Sequence, residues 1–98
     1  MTVRVLAAAE TDLDEAFSYY EKRRPGLRDD LLYEFRRGIE KMLQFPGAWQ
    51  RLDSTYRQYR LHRFPYGIVY RVDPTQEQIM VVAISHLEPP TGMVACAR

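Results

Sequence analysis

Close to the end of the chain stands "IMVVAIS", Ile79 to Ser85. Its apolar residues do not alternate with polar ones, so as a strand it is apolar on both faces. Such a strand must lie inside a sheet or be covered on both sides. Other segments therefore have to flank it and cover it, and the remaining sequence can be searched for them.

The cover comes from two amphipathic segments. From Glu10 to Arg24, Leu13, Ala16, Phe17 and Tyr20 recur at helical spacing. Acids occupy the first turns of this segment, and Lys22, Arg23 and Arg24 occupy the last, as the helix dipole favours. "RPGL" breaks the helix, and Pro25 suits the first turn of the next one. A second helix is expected from Leu27 to Phe45, with Leu31, Phe35, Ile39 and Met42 as its stripe and Pro46–Gly47 as its stop.

The flanking strands are short. "VRVLA", Val3 to Ala7, alternates weakly; "GAWQRLDSTY" reads as a connecting loop; strands follow at 57–63, 67–72 and 78–86, with "FPYG" and "DPTQE" as turns. Ile68, Tyr70 and Val72 share one strand face. The order β-α-α-β-β-β gives an α+β fold in which a helical hairpin packs on a small antiparallel sheet. Residues 1–86 form a single domain, and residues 87–98, with two prolines and no period, are read as an irregular tail.

Composition narrows the function. At 98 residues the chain makes one small domain, and a chain this size buries only roughly 60–65% of its unfolded surface. With 46% hydrophobic residues, apolar surface is expected to remain for a partner. A net charge of +1 argues against bulk or direct sequence-specific nucleic-acid binding. The charge is nevertheless segregated. Residues 8–21 carry Glu10, Asp12, Asp14, Glu15 and Glu21 without a Lys or Arg, whereas residues 51–71 carry Arg51, Arg57, Arg60, Arg63 and Arg71 against Asp53 alone. The lone Cys96 permits no internal disulfide, and no apolar run is long enough for a signal peptide or a membrane span, so a cytoplasmic protein is expected.

"YRLHRFPYGIVYRV", Tyr59 to Val72, holds the candidate chemistry. In an extended strand Arg60 and His62 point one way and Tyr59, Leu61 and Arg63 the other. With Leu61 in the core, Arg60 and His62 face outward or into a groove beside the sheet, where they either hold a phosphate and share its proton or form an ordinary solvated face. Arg71, opposite in direction to Tyr70, is expected to pair with an acid. His86 is read as a buried, hydrogen-bonded residue at a strand end; Ser85 beside it points away, which argues against a nucleophilic pair. Two histidines are too few ligands for a metal, and no cofactor motif is present. Tyr19, off the core stripe of the first helix, is either a partner contact or a half-exposed surface residue, and Trp49 caps one end of the core.

The blocks "DLDEAFSYYEKRRPGLRDDLLYEF", "FPGAW", "YRLHRFPYGIVYRV" and "IMVVAISH" resemble the RelE/ParE toxin superfamily of type II toxin–antitoxin systems, in its ParE-like branch of plasmid stabilisation proteins. The resemblance spans about residues 3–86. It implies a small growth-inhibiting cytoplasmic toxin held inactive by a cognate antitoxin. RelE-like members cut messenger RNA on the ribosome, with basic residues on the sheet and a Tyr near the C-terminus; ParE-like members bind DNA gyrase. Arg60 and His62 fall where RelE-like enzymes carry two basic residues, and His86 matches the start of their tail motif. Gly67 stands near the position of their next arginine, Pro89 at a further arginine, and Met93 and Val94 where aromatics are common. These departures imply a toxin that acts by binding. The alternatives are a ribonuclease using Arg60, His62 and His86, and a member whose toxicity is lost. Tyr19, Arg57, Arg60 and Arg63 are the expected contacts for antitoxin or target.

Overall fold

The computed structural model describes residues 1–87. Strand β1 (Thr2–Val5) leads into helices α1 (Ala7–Arg23) and α2 (Leu27–Gln44), followed by strands β2 (Gln50–Arg51), β3 (Arg57–Arg60), β4 (Tyr66–Asp73) and β5 (Gln78–His86). The strands form one sheet in the order β1-β5-β4-β3-β2. The apolar β5 therefore lies between two neighbours, as its composition demands.

The α+β class stands, with two differences in the sheet. It is mixed: β1 runs parallel to β5, while the other pairs are antiparallel. A β-α-α path returns the chain to the far edge of the sheet, and local periodicity cannot fix the direction of so distant a pairing. Within the expected loop, Gln50 and Arg51 also form a short fifth strand against β3. The tail expected over 87–98 lies outside the described residues from 88 onward.

α1 begins earlier than its apolar stripe suggests, because Ala7, Ala8 and Ala9 are strong helix formers. Pro25 sits in the turn before α2 rather than in its first turn. Gly26 precedes the helix in the left-handed region at φ 95°, which glycine adopts without a Cβ penalty. Both helices lie on one face of the sheet. Phe17, Leu31, Phe35 and Met42 bury themselves there with Tyr59, Leu61, Ile68, Tyr70, Val81 and Ile84, and Ile39 packs beside them. Gly38 extends the α2 stripe because a Cβ there would meet the Tyr59 ring at 2.9 Å and Ile68 at 3.0 Å.

A β-bulge interrupts β5. Val69 pairs with Ala83 and Tyr70 with Val81, which leaves Val82 without a partner on β4. The inward face accordingly reads Ile79, Val81 and then Ile84. Beyond the bulge, the Ile84 N–H donates to Asp12 Oδ2 of α1 at 3.1 Å, so a helix side chain takes the place of a ladder partner.

Candidate partner-binding surface

β3 is buried on both faces at its centre. Tyr59 is buried beneath the helices, and Arg60 is exposed. On the other side of the pleat Gln58 is buried, lying close over Gly67 of β4, where an added Cβ would come within 2.8 Å of Gln58 Cδ. A side chain at position 67 would require the Gln58 side chain to move. Arg57 is half-buried and spends one donor internally: its Nη1 donates to the Trp49 carbonyl at 2.8 Å. The Trp49 ring stands edge-on to Tyr59 at 4.8 Å, and its Nε1 donates to the Lys41 carbonyl at 3.4 Å. Trp49 therefore closes the core end as expected, with Arg57 tying it down.

Arg60 and His62 do not share a face. β3 ends at Arg60, and the chain turns over Leu61–Pro65, held by Leu61 N–H donating to the Tyr66 carbonyl at 2.9 Å. The period of two lapses at that turn. His62 is carried toward α2, where its backbone N–H donates to Glu34 Oε1 at 3.2 Å. It lines a cleft with Tyr33, Arg37, Lys41, Tyr59 and Arg63, and Arg60 is not part of that lining. Burial, and then the Glu34 carboxylate, raise the Tyr59 hydroxyl above the ordinary tyrosine range, while Arg37 opposes them. Arg63 meets Asp30 of α2 at 3.5 Å in an exposed pair of the kind worth at most about 1 kcal/mol.

Tyr19 and His86, far apart in sequence, come to one cleft along with Asp12, Glu15, Tyr66 and Ile84. Tyr19 is 50% exposed. Arg23 covers its ring at 5.1 Å and donates to its hydroxyl at 2.8 Å. From Tyr19 a chain of edge-to-face contacts runs through Tyr20 to Phe64 and Tyr66, and from Tyr66 to the His86 ring at 5.0 Å. His86 is exposed, not buried as expected, with its ring against Tyr66. Nothing local in the sequence marks this cluster; it depends on the pairing of Tyr66 with His86.

A third cleft went unread in the sequence. Pro46, Gly47, Ser54, Thr55, Arg57, Arg71 and Val72 line it. Arg71 has no acidic partner among the described residues, contrary to expectation. The neighbouring Asp53 is occupied. The Thr55 and Tyr56 N–H groups both donate to its Oδ1 at 2.8 Å, and these bonds, Tyr56 first, hold its carboxyl below the usual range. Among the described residues no group of three or more His, Cys, Asp or Glu is placed to hold a metal ion, and no helix is long and apolar enough to cross a membrane. Pro89, Met93 and Val94 lie outside the described residues.

Residues 3–88 match the family described as the ParE toxin of type II toxin–antitoxin systems, parDE. The chain is 37% identical over 95 residues to Toxin ParE2 of Mycobacterium tuberculosis, covering 95% of this chain and 89% of that one. Its fold is similar to that of a chromosomal ParDE toxin–antitoxin system from P. aeruginosa, with TM-score 0.76 and 20% identity over 90% of this chain and 97% of the other. It is also similar to the isolated E. coli RelE toxin, with TM-score 0.64 and 14% identity over 98% of this chain and 94% of the other.

Proposed function

Since the chain belongs to the ParE toxin family of type II toxin–antitoxin systems, we propose that it acts by binding a macromolecular target, DNA gyrase, that it does not cut RNA, and that a cognate antitoxin neutralises it in the cytoplasm. The observation that carries binding over cleavage is the separation of Arg60 from His62. Phosphoryl chemistry of the RelE kind needs several cations and a proton carrier converging on one phosphate, and each well-placed charge stabiliser is worth ~3–4 kcal/mol. Here His62 turns toward α2 while Arg60 stays on the strand. Gly67, beside the position of a further family arginine, supplies no side chain, and Gln58 lies over it.

Two assays run in parallel on induced cells test this reading: the supercoiling of reporter plasmids, and primer extension on translated messages. Supercoiling should fall, without codon-dependent cuts. Cuts that vanish in Arg60→Ala or His62→Ala would make the protein a ribonuclease. Neither effect, from a folded and expressed protein, would mean that its toxicity has been lost.

A further inference from the structure

The cleft between α2 and the turn after β3 has no part in the function proposed above. Tyr33, Arg37 and Lys41 follow one another four residues apart on α2, so they share one face of that helix, and Tyr59 and His62 line the cleft from the sheet side. It encloses about 450 Å³, within the range of small-molecule sites, about 300–1,000 Å³. Arg37 and Lys41 have no acidic partner among the described residues, whereas Arg63 is offset by Asp30. Glu34 is the one acid of the lining, and its Oε1 already accepts the His62 backbone N–H. A surplus of positive charge remains. The Tyr59 side chain is 5% exposed, and its hydroxyl makes no hydrogen bond among the described residues. No buried side-chain polar atom there is left without a partner, so this hydroxyl must reach solvent, and the cleft that Tyr59 lines is its opening. Burial, and then Glu34, raise its pKa, so at neutral pH it is a protonated donor; the opposing effect of Arg37 puts that cation within electrostatic reach of it.

We propose that this cleft binds a nucleoside monophosphate, with its phosphate held by Arg37, Lys41 and the Tyr59 hydroxyl and its base laid against Tyr33. Two cations without acidic partners and a neutral donor suit a terminal phosphate, which carries a charge of about −1.5 to −2 at neutral pH, better than a carboxylate or the singly charged diester of a nucleic-acid strand. A strand would also need a basic path to follow, whereas α1 presents Glu10, Asp14 and Glu15, all exposed, and the net charge of the chain is +1. Tyr33 supplies the flat surface. It is 57% exposed at the edge of the cleft, with the Arg37 guanidinium 6.0 Å from its ring centre, and an exposed aromatic ring stacks on any base. The site needs neither the antitoxin nor the gyrase reading, and Arg60 takes no part in it.

The test is an NMR titration of the full chain with adenosine monophosphate, inorganic phosphate and adenosine, each at the same ionic strength. With the monophosphate, the Arg37 side-chain N–H signal and the backbone signals of Tyr33, Tyr59 and His62 should shift together and saturate. The signal of Arg36, exposed on α2 and outside the lining, should stay. Inorganic phosphate should bind the same residues about tenfold more weakly, because it lacks the stacked base, and adenosine should not saturate. Arg37→Gln should weaken the monophosphate about tenfold and Tyr59→Phe by a smaller factor, whereas Arg36→Gln should change nothing. Arg37 is exposed and Tyr59→Phe removes a hydroxyl that bonds to no described residue, so neither variant should lower the melting temperature; a variant that does melt early is replaced by Lys41→Gln, with the same expected loss. Equal binding of phosphate and monophosphate would overturn the nucleotide and leave an anion site, and adenosine binding as well as its phosphate would overturn the role of the cations. Equal shifts of Arg36 and Arg37, or no saturable shift from any of the three, would overturn the site altogether.

Discussion

Tyr70 is fully buried, and its hydroxyl donates to the Pro46 carbonyl at 2.7 Å, joining the centre of the sheet to the end of α2. Burial pushes its pKa up to about 12, with Arg57 pulling the other way. The folded value lies above the ordinary value of 10.0, so the unfolded chain releases this proton first as pH rises. The contribution is therefore intact below about pH 10 and declines between 10 and 12. Denaturant melts across that window should show stability falling. Tyr70→Phe should flatten the fall without abolishing it, since Tyr59 is raised too, and should cost about 0.5–1.5 kcal/mol at neutral pH for the lost hydrogen bond. Gly38 sets two opposed effects against each other. Alanine is the better helix former by about 1 kcal/mol, but its Cβ would press on the Tyr59 ring, which Trp49 backs on another side. Overpacking of this kind costs about 1–3 kcal/mol, so Gly38→Ala should be destabilising in urea. A gain would mean that α2 stands farther from β3.

At the scale of elements, the part of β5 beyond the bulge is tied to a helix. Asp12→Ala leaves the Ile84 N–H without its acceptor in a half-buried place and should cost about 1–3 kcal/mol; Asp12→Asn keeps an acceptor oxygen and should cost less. Equal stability for both variants, measured by thermal melts, would show that solvent satisfies that N–H. The helices were legible in the sequence because their stripes repeat over 17 and 18 residues. So were the strand faces of β4, where Ile68 and Tyr70 are buried on the side toward the helices. What could not be read was non-local. A two-residue strand has no period to detect, the direction of β1 is fixed only by β5, and the bulge has no Gly or Pro to announce it. The candidate site divided in the same way. Tyr19 was visible as an exposed aromatic off the stripe. The parting of Arg60 and His62 was not, because it follows from a strand that stops before Leu61.

Across the whole molecule, charge and apolar surface are unevenly distributed. Arg57, Arg60 and Arg63 lie along β3 and the turn after it, whereas acids predominate on α1, and Tyr19, Tyr33, Phe45 and Leu52 stand exposed. A partner that uses both kinds of surface should survive moderate salt and loosen at high salt. Co-expression with the adjacent open reading frame and pull-down at two salt concentrations measures this. A complex retained at moderate and reduced at high salt is expected. Complete loss at high salt would assign the interface to charge, and no complex at either would remove the antitoxin from the account.

The first strand and the last one described are neighbours. β1 is laid down at once during synthesis, yet its only partner among the described residues, β5, is separated from it by both helices and three other strands. Closing so long a loop is entropically slow, and β5 supplies both the flank for β1 and much of the floor beneath α1. Until Gln78–His86 leaves the ribosome, the growing chain holds two helices without the sheet they cover. A message cut short before that point should yield no folded protein, and the interval between starting the chain and completing its sheet is set by where the central strand stands in the order of translation.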